Sequence, residues 1–205
     1  MKKLSLIFAI AGLHLAAYSQ TGPKIAILPT FNASGEKDDN IKTQEKGIAD
    51  KYLTDEFTAR KFTVIAADAV SAALADLKID MSDEEAWKRD VLFQLGDKLG
   101  ADFVIFDVIT DNGQHKSPNF FTNTAEGWVS EKLWLVNVQK RSAVFSAKAF
   151  KGNSKHSEFV FGSVTGTELQ KMAVKNGLAD ILKDFFAPYP KQPEAKPAEQ
   201  QVRGN

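Results

Sequence analysis

The chain has 205 residues, with 26 Lys and Arg against 26 Asp and Glu and no cysteine. That length suits one domain with extensions, at about 100 to 200 residues per domain. Balanced charge supplies no general attraction to nucleic acid or to an anionic membrane, and the lack of cysteine excludes disulfides, thiol catalysis, zinc-thiolate centres and a lipid anchor on an N-terminal cysteine.

Lys2 and Lys3 precede an apolar run from Leu4 to Ala17 broken only by Ser5, Gly12 and His14. The run is too short for a membrane-spanning helix, which needs about 20 apolar residues, and Ala17-Tyr18-Ser19 places small residues where a signal peptidase cuts. The expectation is a signal peptide over residues 1–19, cleaved near Ser19, and a mature protein that works in the periplasm or is secreted. Loss of Lys2 and Lys3 with it leaves 24 basic against 26 acidic residues.

Lys24 to Pro29 is a short apolar run closed by proline and suits a buried strand, followed by a loop from Phe31 to Lys37. Asp39 to Arg60 places Ile41, Ile48, Tyr52, Leu53 and Phe57 on one helical face. Phe62 to Ile65 reads as a brief strand, and Asp68 as the cap of a helix through Leu77. Ser82, followed by Asp83, Glu84 and Glu85, has the signature of a helix start, with Trp87, Val91, Leu92 and Leu95 at helical spacing up to Gly100. Ala101 to Ile109 is the most strand-like run, and Asp111 to about Thr124 reads as a polar loop. Trp128–Val138 and Ala143–Phe150 form a long hairpin around Gln139–Ser142, and Glu168–Phe186 a last amphipathic helix. From Ala187 onward proline, lysine, glutamate and glutamine replace the apolar residues, so residues 187–205 read as a disordered tail.

The fold class expected is α/β: one domain over residues 20–186, with a mixed β-sheet of about five strands covered by about four helices. The opening KIAILPTFN before a long helix, the strand entry LGADFVIFDVI and the hairpin LWLVNVQKRSAVFSAKAFKGNS before a last helix carry a family resemblance. Together they resemble the superfamily that contains the curli-secretion protein CsgG, the TolB amino-terminal domain and the penicillin-binding-protein activator (LpoB-like) lipoproteins. The resemblance spans most of Lys24 to Phe186 and implies an anticodon-binding-domain-like architecture. The chain departs from that group in having Lys140-Arg141 where a Thr-Gly turn is common, in lacking the lipid-bearing cysteine, and in lacking a pair of long pore-forming hairpins. What the resemblance implies is an envelope-associated adaptor or binding domain whose partner is another envelope protein, with no catalytic residues to carry over.

The residues themselves offer little chemistry. His115 and His156 lie in no metal-ligand spacing, and Gly162-Ser163-Val164-Thr165-Gly166 lacks the elbow that would make Ser163 a nucleophile. Asp102, Asp107 and Asp111 cluster along one strand, but Asp102 and Asp107 differ by an odd number and so face opposite ways. Asp107, inside an apolar run, calls for a partner or solvent. No catalytic, cofactor-binding or metal-binding residue is therefore assigned, and no cofactor is expected. Phe120 and Phe121 in the polar loop, with Trp128 on the following strand, are the candidate partner-binding residues, since aromatic side chains dominate interface hot spots. Asn32-Ala33-Ser34 matches a glycosylation sequon and reads as coincidence. Two functions follow: a non-enzymatic envelope binding or adaptor protein, and a secreted hydrolase working through carboxylates.

Overall fold

A computed structural model describes residues 22–118, 122–159 and 166–192. In chain order its elements are β1 (Lys24–Ile27), β2 (Phe31–Asn32), α1 (Asp39–Ala59), β3 (Thr63–Val64), α2 (Ala67–Leu77), a 3₁₀ turn (Glu84–Trp87), α3 (Arg89–Leu99), β4 (Phe103–Pro118), β5 (Thr122–Asn137), β6 (Ser142–Phe159) and α4 (Gly166–Phe186). The strands lie in the order β3-β1-β4-β5-β6, with β2 beside β4. β1 runs parallel to both β3 and β4, whereas β4, β5 and β6 are antiparallel. This is the mixed sheet of an α/β fold.

Alternation along each strand divides the core in two. Ile25, Phe103, Ile105, Ile109, Val129, Leu133 and Leu135 face α1 and α4, where they meet Leu53, Phe57, Val174, Leu178 and Leu182. Ala26, Leu28, Val104, Phe106, Val108, Trp134 and Val136 face α2 and α3, where they meet Val70, Leu92 and Leu95. Phe57 joins the two long helices, with Phe62 and Phe186 each 5.0 Å from its ring. Burying each large apolar side chain contributes roughly 1.5 to 3 kcal/mol, so these two layers hold the sheet between its helices.

Local chemistry sets several boundaries. Asp38 caps α1 by accepting from the Asn40 amide, and Gly100 ends α3 in the left-handed conformation at φ 61°. α2 begins at Ala66 with no side-chain cap, so Asp68 lies in its first turn and is not its cap. The single helix expected from Ser82 to Gly100 is broken: Asp83 caps the 3₁₀ turn, and Lys88 is extended at ψ 142° before α3 starts. The break lets Trp87 turn inward, 5.5 Å from Trp134 and 5.9 Å from Phe106, with its indole N–H donating to the Met81 carbonyl.

Two further corrections concern stretches read as loops. Phe31–Asn32 pairs with Val108 and Ile109 as β2. The stretch from Asp111 to Thr124 is largely strand, because β4 runs on to Pro118 after a bulge between Ile109 and Asp111, and Asn123 pairs with Pro118 to begin β5. Polar residues are tolerated there because much of this part of the sheet faces solvent.

After α4 the chain stays on the domain through Gln192. Tyr189 lies 4.9 Å from the Phe62 ring, Lys191 pairs with Glu56 at 2.6 Å, and the Gln192 amide donates to the Ala59 carbonyl. Composition alone put these residues in the tail. Deleting residues 187–205 is therefore expected to lower Tm by about 5 °C, since a partly buried aromatic ring contributes about 1 to 2 kcal/mol at ~2 to 4 °C per kcal/mol. Deletion of residues 193–205 is expected to leave Tm unchanged. Thermal melts of the two truncations check this; equal Tm values would show that Tyr189 contributes nothing.

Candidate binding surface

β4, β5 and β6 extend well past the helices on the α2/α3 side of the sheet. Trp134, Val136 and Val138 are the β5 residues packed under that layer. Beyond Trp134 the same face of β5 carries Lys132, Ser130, Trp128 and Glu126, all exposed or half-buried. Cross-strand neighbours add Gly113 and His115 from β4, and Lys151, Asn153 and Lys155 from β6. Opposite faces differ sharply on β6: Lys151, Asn153 and Lys155 are exposed, while Gly152 and Ser154 are buried on the α4 side.

Trp128 stands at the middle of this face. Its indole lies flat on the β4 backbone at Gly113, so closely that a Cβ there would sit 2.2 Å from the ring. A side chain at that position would displace the ring, and the pairing is how aromatic residues cover a strand glycine. The Lys151 ammonium lies 5.2 Å from the indole centroid, and Lys155 pairs with Glu126 at 2.8 Å. Further along β5, Trp87, Trp134, Lys132 and Ser146 line an open depression of about 510 Å³ that also takes in Glu84, Lys88, Arg89 and Asp90. The surface thus carries Trp128 at its middle and Trp87 with Trp134 where it meets the α2/α3 layer, with Lys132 on β5 between them. Phe120 and Phe121, the other two expected partner-binding residues, lie outside the described residues, as does Ser163.

The carboxylates named from sequence are not brought together. Asp102 accepts from the Lys24 amide at 2.8 Å, and Asp111 is exposed on β4. Asp107 lacks the solvent that its position called for: it is 0 % exposed, and the donors beside it, the Val108 amide and the Thr30 hydroxyl, leave both carboxylate oxygens without a well-formed hydrogen bond. Burial, and next the charge of Asp50, push its pKa up to about 8, against the smaller opposing pull of the Val108 amide and the Thr30 hydroxyl. The carboxyl is accordingly protonated at neutral pH.

Two buried acids share the α1/α4 side with it. Glu131 on β5 is 1 % exposed with both oxygens unbonded, and its pKa is raised by burial and then by the neighbouring Asp107 and Glu45. Glu45 on α1, equally buried, is bonded at 2.8 Å by the side-chain amides of Asn32 and Asn112, yet burial still raises its pKa. The Asn32 side chain is thus a structural donor, and its carbonyl oxygen holds Ser34. Sequence reading missed both glutamates, although a signal was present. Glu131 occupies an inward position in the alternation Val129, Leu133, Leu135, and Glu45 lies one turn before Ala49 on the stripe that leads to Leu53 and Phe57.

His115 bonds Ser117 at 2.9 Å, and among the described residues no three His, Cys, Asp or Glu side chains converge in a way that could hold a metal ion. No described helix is long and apolar enough to cross a membrane.

No protein-family model and no curated protein matches the chain. Solved structures do. The chain is similar to lipoprotein GNA1162 from Neisseria meningitidis, at 20% identity over 82% of this chain and 99% of that one, with a TM-score of 0.45. It is also similar to the hypothetical protein CT253 from Chlamydia trachomatis, at 13% identity over 81% and 94% of the two chains and a TM-score of 0.44. The LpoB C-terminal domain from Escherichia coli matches at 18% identity over 70% and 90%, with a TM-score of 0.37.

Proposed function

We propose that the protein is a non-enzymatic binding or adaptor protein of the cell envelope, exported by its N-terminal signal peptide, that engages another envelope protein. The observation that carries this reading is the helix-free face of β4, β5 and β6. There Trp128 packs on Gly113 with Lys151 over its ring and Lys155 beside it, and Lys132 lies further along the same face of β5. A rigid aromatic side chain in a polar rim is the usual composition of an interface hot spot. Export is supported by Lys2, Lys3 and the apolar run to Ala17, and the adaptor role by the resemblance of KIAILPTFN, LGADFVIFDVI and the following hairpin to envelope adaptors. Asp102, Asp107 and Asp111 occupy three separate environments, and the acids beside Asp107, Glu131 and Glu45, are buried with it, which gives the carboxylate hydrolase no solvent-facing acid and base.

Phe120 and Phe121 belong to the same proposal, because in sequence they fall between β4 and β5, two of the strands that form this face. Replacing Trp128 by alanine is expected to weaken partner capture by about 2 kcal/mol or more, the hot-spot threshold, equivalent to roughly thirtyfold. Thermal melts of the same variant should move little, since the ring is only half-buried. Pull-downs from cell envelopes with wild type, Trp128→Ala and Phe120→Ala/Phe121→Ala, quantified against bait concentration, measure this. Unchanged capture by all three would remove the surface from the account.

A further inference from the structure

From the position of β6 the geometry points to a second way of engaging the partner: the outer edge of β6 accepts an extended, acidic polypeptide segment as an additional strand. The inference rests on the reading of this face as a binding surface and names the chemistry of what binds. β6 is the last strand of the sheet and 18 residues long, whereas β3 at the opposite edge spans 2 residues. From Lys148 to Lys155 it is paired through β5 alone, and no other described strand bonds its outer side. A strand edge of that length offers a row of main-chain donors and acceptors, which extended peptides complete.

Register and charge decide the occupant. The irregular part of β6 is confined to its start, where the pairing shifts between Leu133 and Leu135 and Ala147 takes φ 51°. Beyond that point Ala149 to Lys155 alternates regularly, with Lys151, Asn153 and Lys155 turned to the helix-free face. A second copy of this chain paired antiparallel about Asn153 would set Lys151 opposite the other copy's Lys155, and like charges directly opposite disfavour such a pair. The same lysines, with Lys132 beside Ala149 on β5, favour a strand that presents carboxylates at every second position. The Asn153 carbonyl already accepts from the Asn176 side-chain amide of α4 at 2.8 Å, so an added strand shares that acceptor and relies on the main-chain groups on either side of it.

The test uses the mature protein and three end-blocked synthetic peptides: alternating valine and glutamate, alternating valine and lysine, and the glutamate peptide with alternate backbone amides N-methylated. Anisotropy titrations at low salt are expected to give at least tenfold tighter binding of the glutamate peptide than of either control. The N-methylated control keeps the charge but cannot form the ladder. Hydrogen exchange should slow at amides within Lys148 to Lys155. Lys151→Glu/Lys155→Glu, which changes only exposed side chains, should reverse the preference toward the lysine peptide. Equal binding of the N-methylated peptide would overturn the inference in favour of simple polyanion attraction. So would protection elsewhere, no binding, or concentration-dependent protection of β6 without peptide. If envelope capture is lost with Trp128→Ala but kept with Lys151→Glu/Lys155→Glu, the edge is overturned and the binding face stands; if neither affects capture, the functional reading fails.

Discussion

Replacing Gly152 by valine is expected to destabilise the domain by about 3 kcal/mol or more, seen as a fall in Tm of roughly 6 to 12 °C. α4 crosses β6 with backbone against backbone: a Cβ on Gly152 would lie 1.8 Å from the Ala173 carbonyl oxygen and 2.8 Å from the Gly177 amide nitrogen. Neither obstacle can rotate away, so α4 must lift, and Val174, Leu178 and Leu182 lose their seat on Val129 and Leu133. Gly177 closes the contact from the helix side, where a Cβ would meet Glu131 Oε2 at 2.9 Å. The control is Gly47→Ala in α1, which meets nothing within 4 Å and is expected to raise stability by about 0.5 to 1 kcal/mol through helix propensity alone. Urea denaturation of both variants checks the pair. A Gly152→Val protein as stable as wild type would mean that α4 does not sit on the sheet as described.

The second large effect is a pH dependence centred on Asp107. Its ordinary pKa of 3.8 applies in the unfolded chain, and burial raises it to about 8 in the folded one. Between those values the folded state keeps a proton that the unfolded chain releases. The stability linked to this group is therefore fully present below about pH 4, declines as pH rises, and levels off above about pH 8. Glu131 and Glu45, also raised by burial, act in the same direction. Asp107→Asn removes the titration. The difference in unfolding free energy between the variant and wild type should shift in the variant's favour from pH 4.5 to pH 8.5 by an amount on the order of a few kcal/mol, given ~1.4 kcal/mol per pKa unit. A difference that stays flat across that range would show that the Asp107 carboxyl is already ionised or solvated when folded.

Where polarity and periodicity agreed, the sequence was a sufficient guide. The stripe Leu53, Phe57 and the runs Phe103–Ile109 and Leu133–Val138 have a single burial solution, and the alternating order of strands and helices followed from them. It misled where tertiary context outweighed local chemistry. Asp111-Asn112-Gly113 has the composition of a turn, but Asn112 is held by Glu45 and Gly113 lies beneath Trp128, so both are strand residues with long-range reasons to be there. The helix read from Ser82 is broken at Lys88, and the break goes with Trp87 packing on Trp134 and Phe106. Tyr189 was hidden by its proline neighbours, and its long-range contact with Phe62 marks it as part of the domain. Of the proposed binding surface, Trp128 stands out in the sequence as an aromatic side chain among polar residues. Its lysine neighbours do not, because Lys151 and Lys155 come beside Trp128 only through the register of β5 and β6.

The most direct measurement is site-specific photocrosslinking in whole cells, with a benzophenone amino acid placed singly at Trp128, at Met172 on the exposed side of α4, and at Leu77 on α2. The expected result is a crosslink to an envelope protein from position 128, with positions 172 and 77 giving none above background. Crosslinks from 172 or 77 with none from 128 would contradict the assignment of the helix-free face as the surface this protein uses.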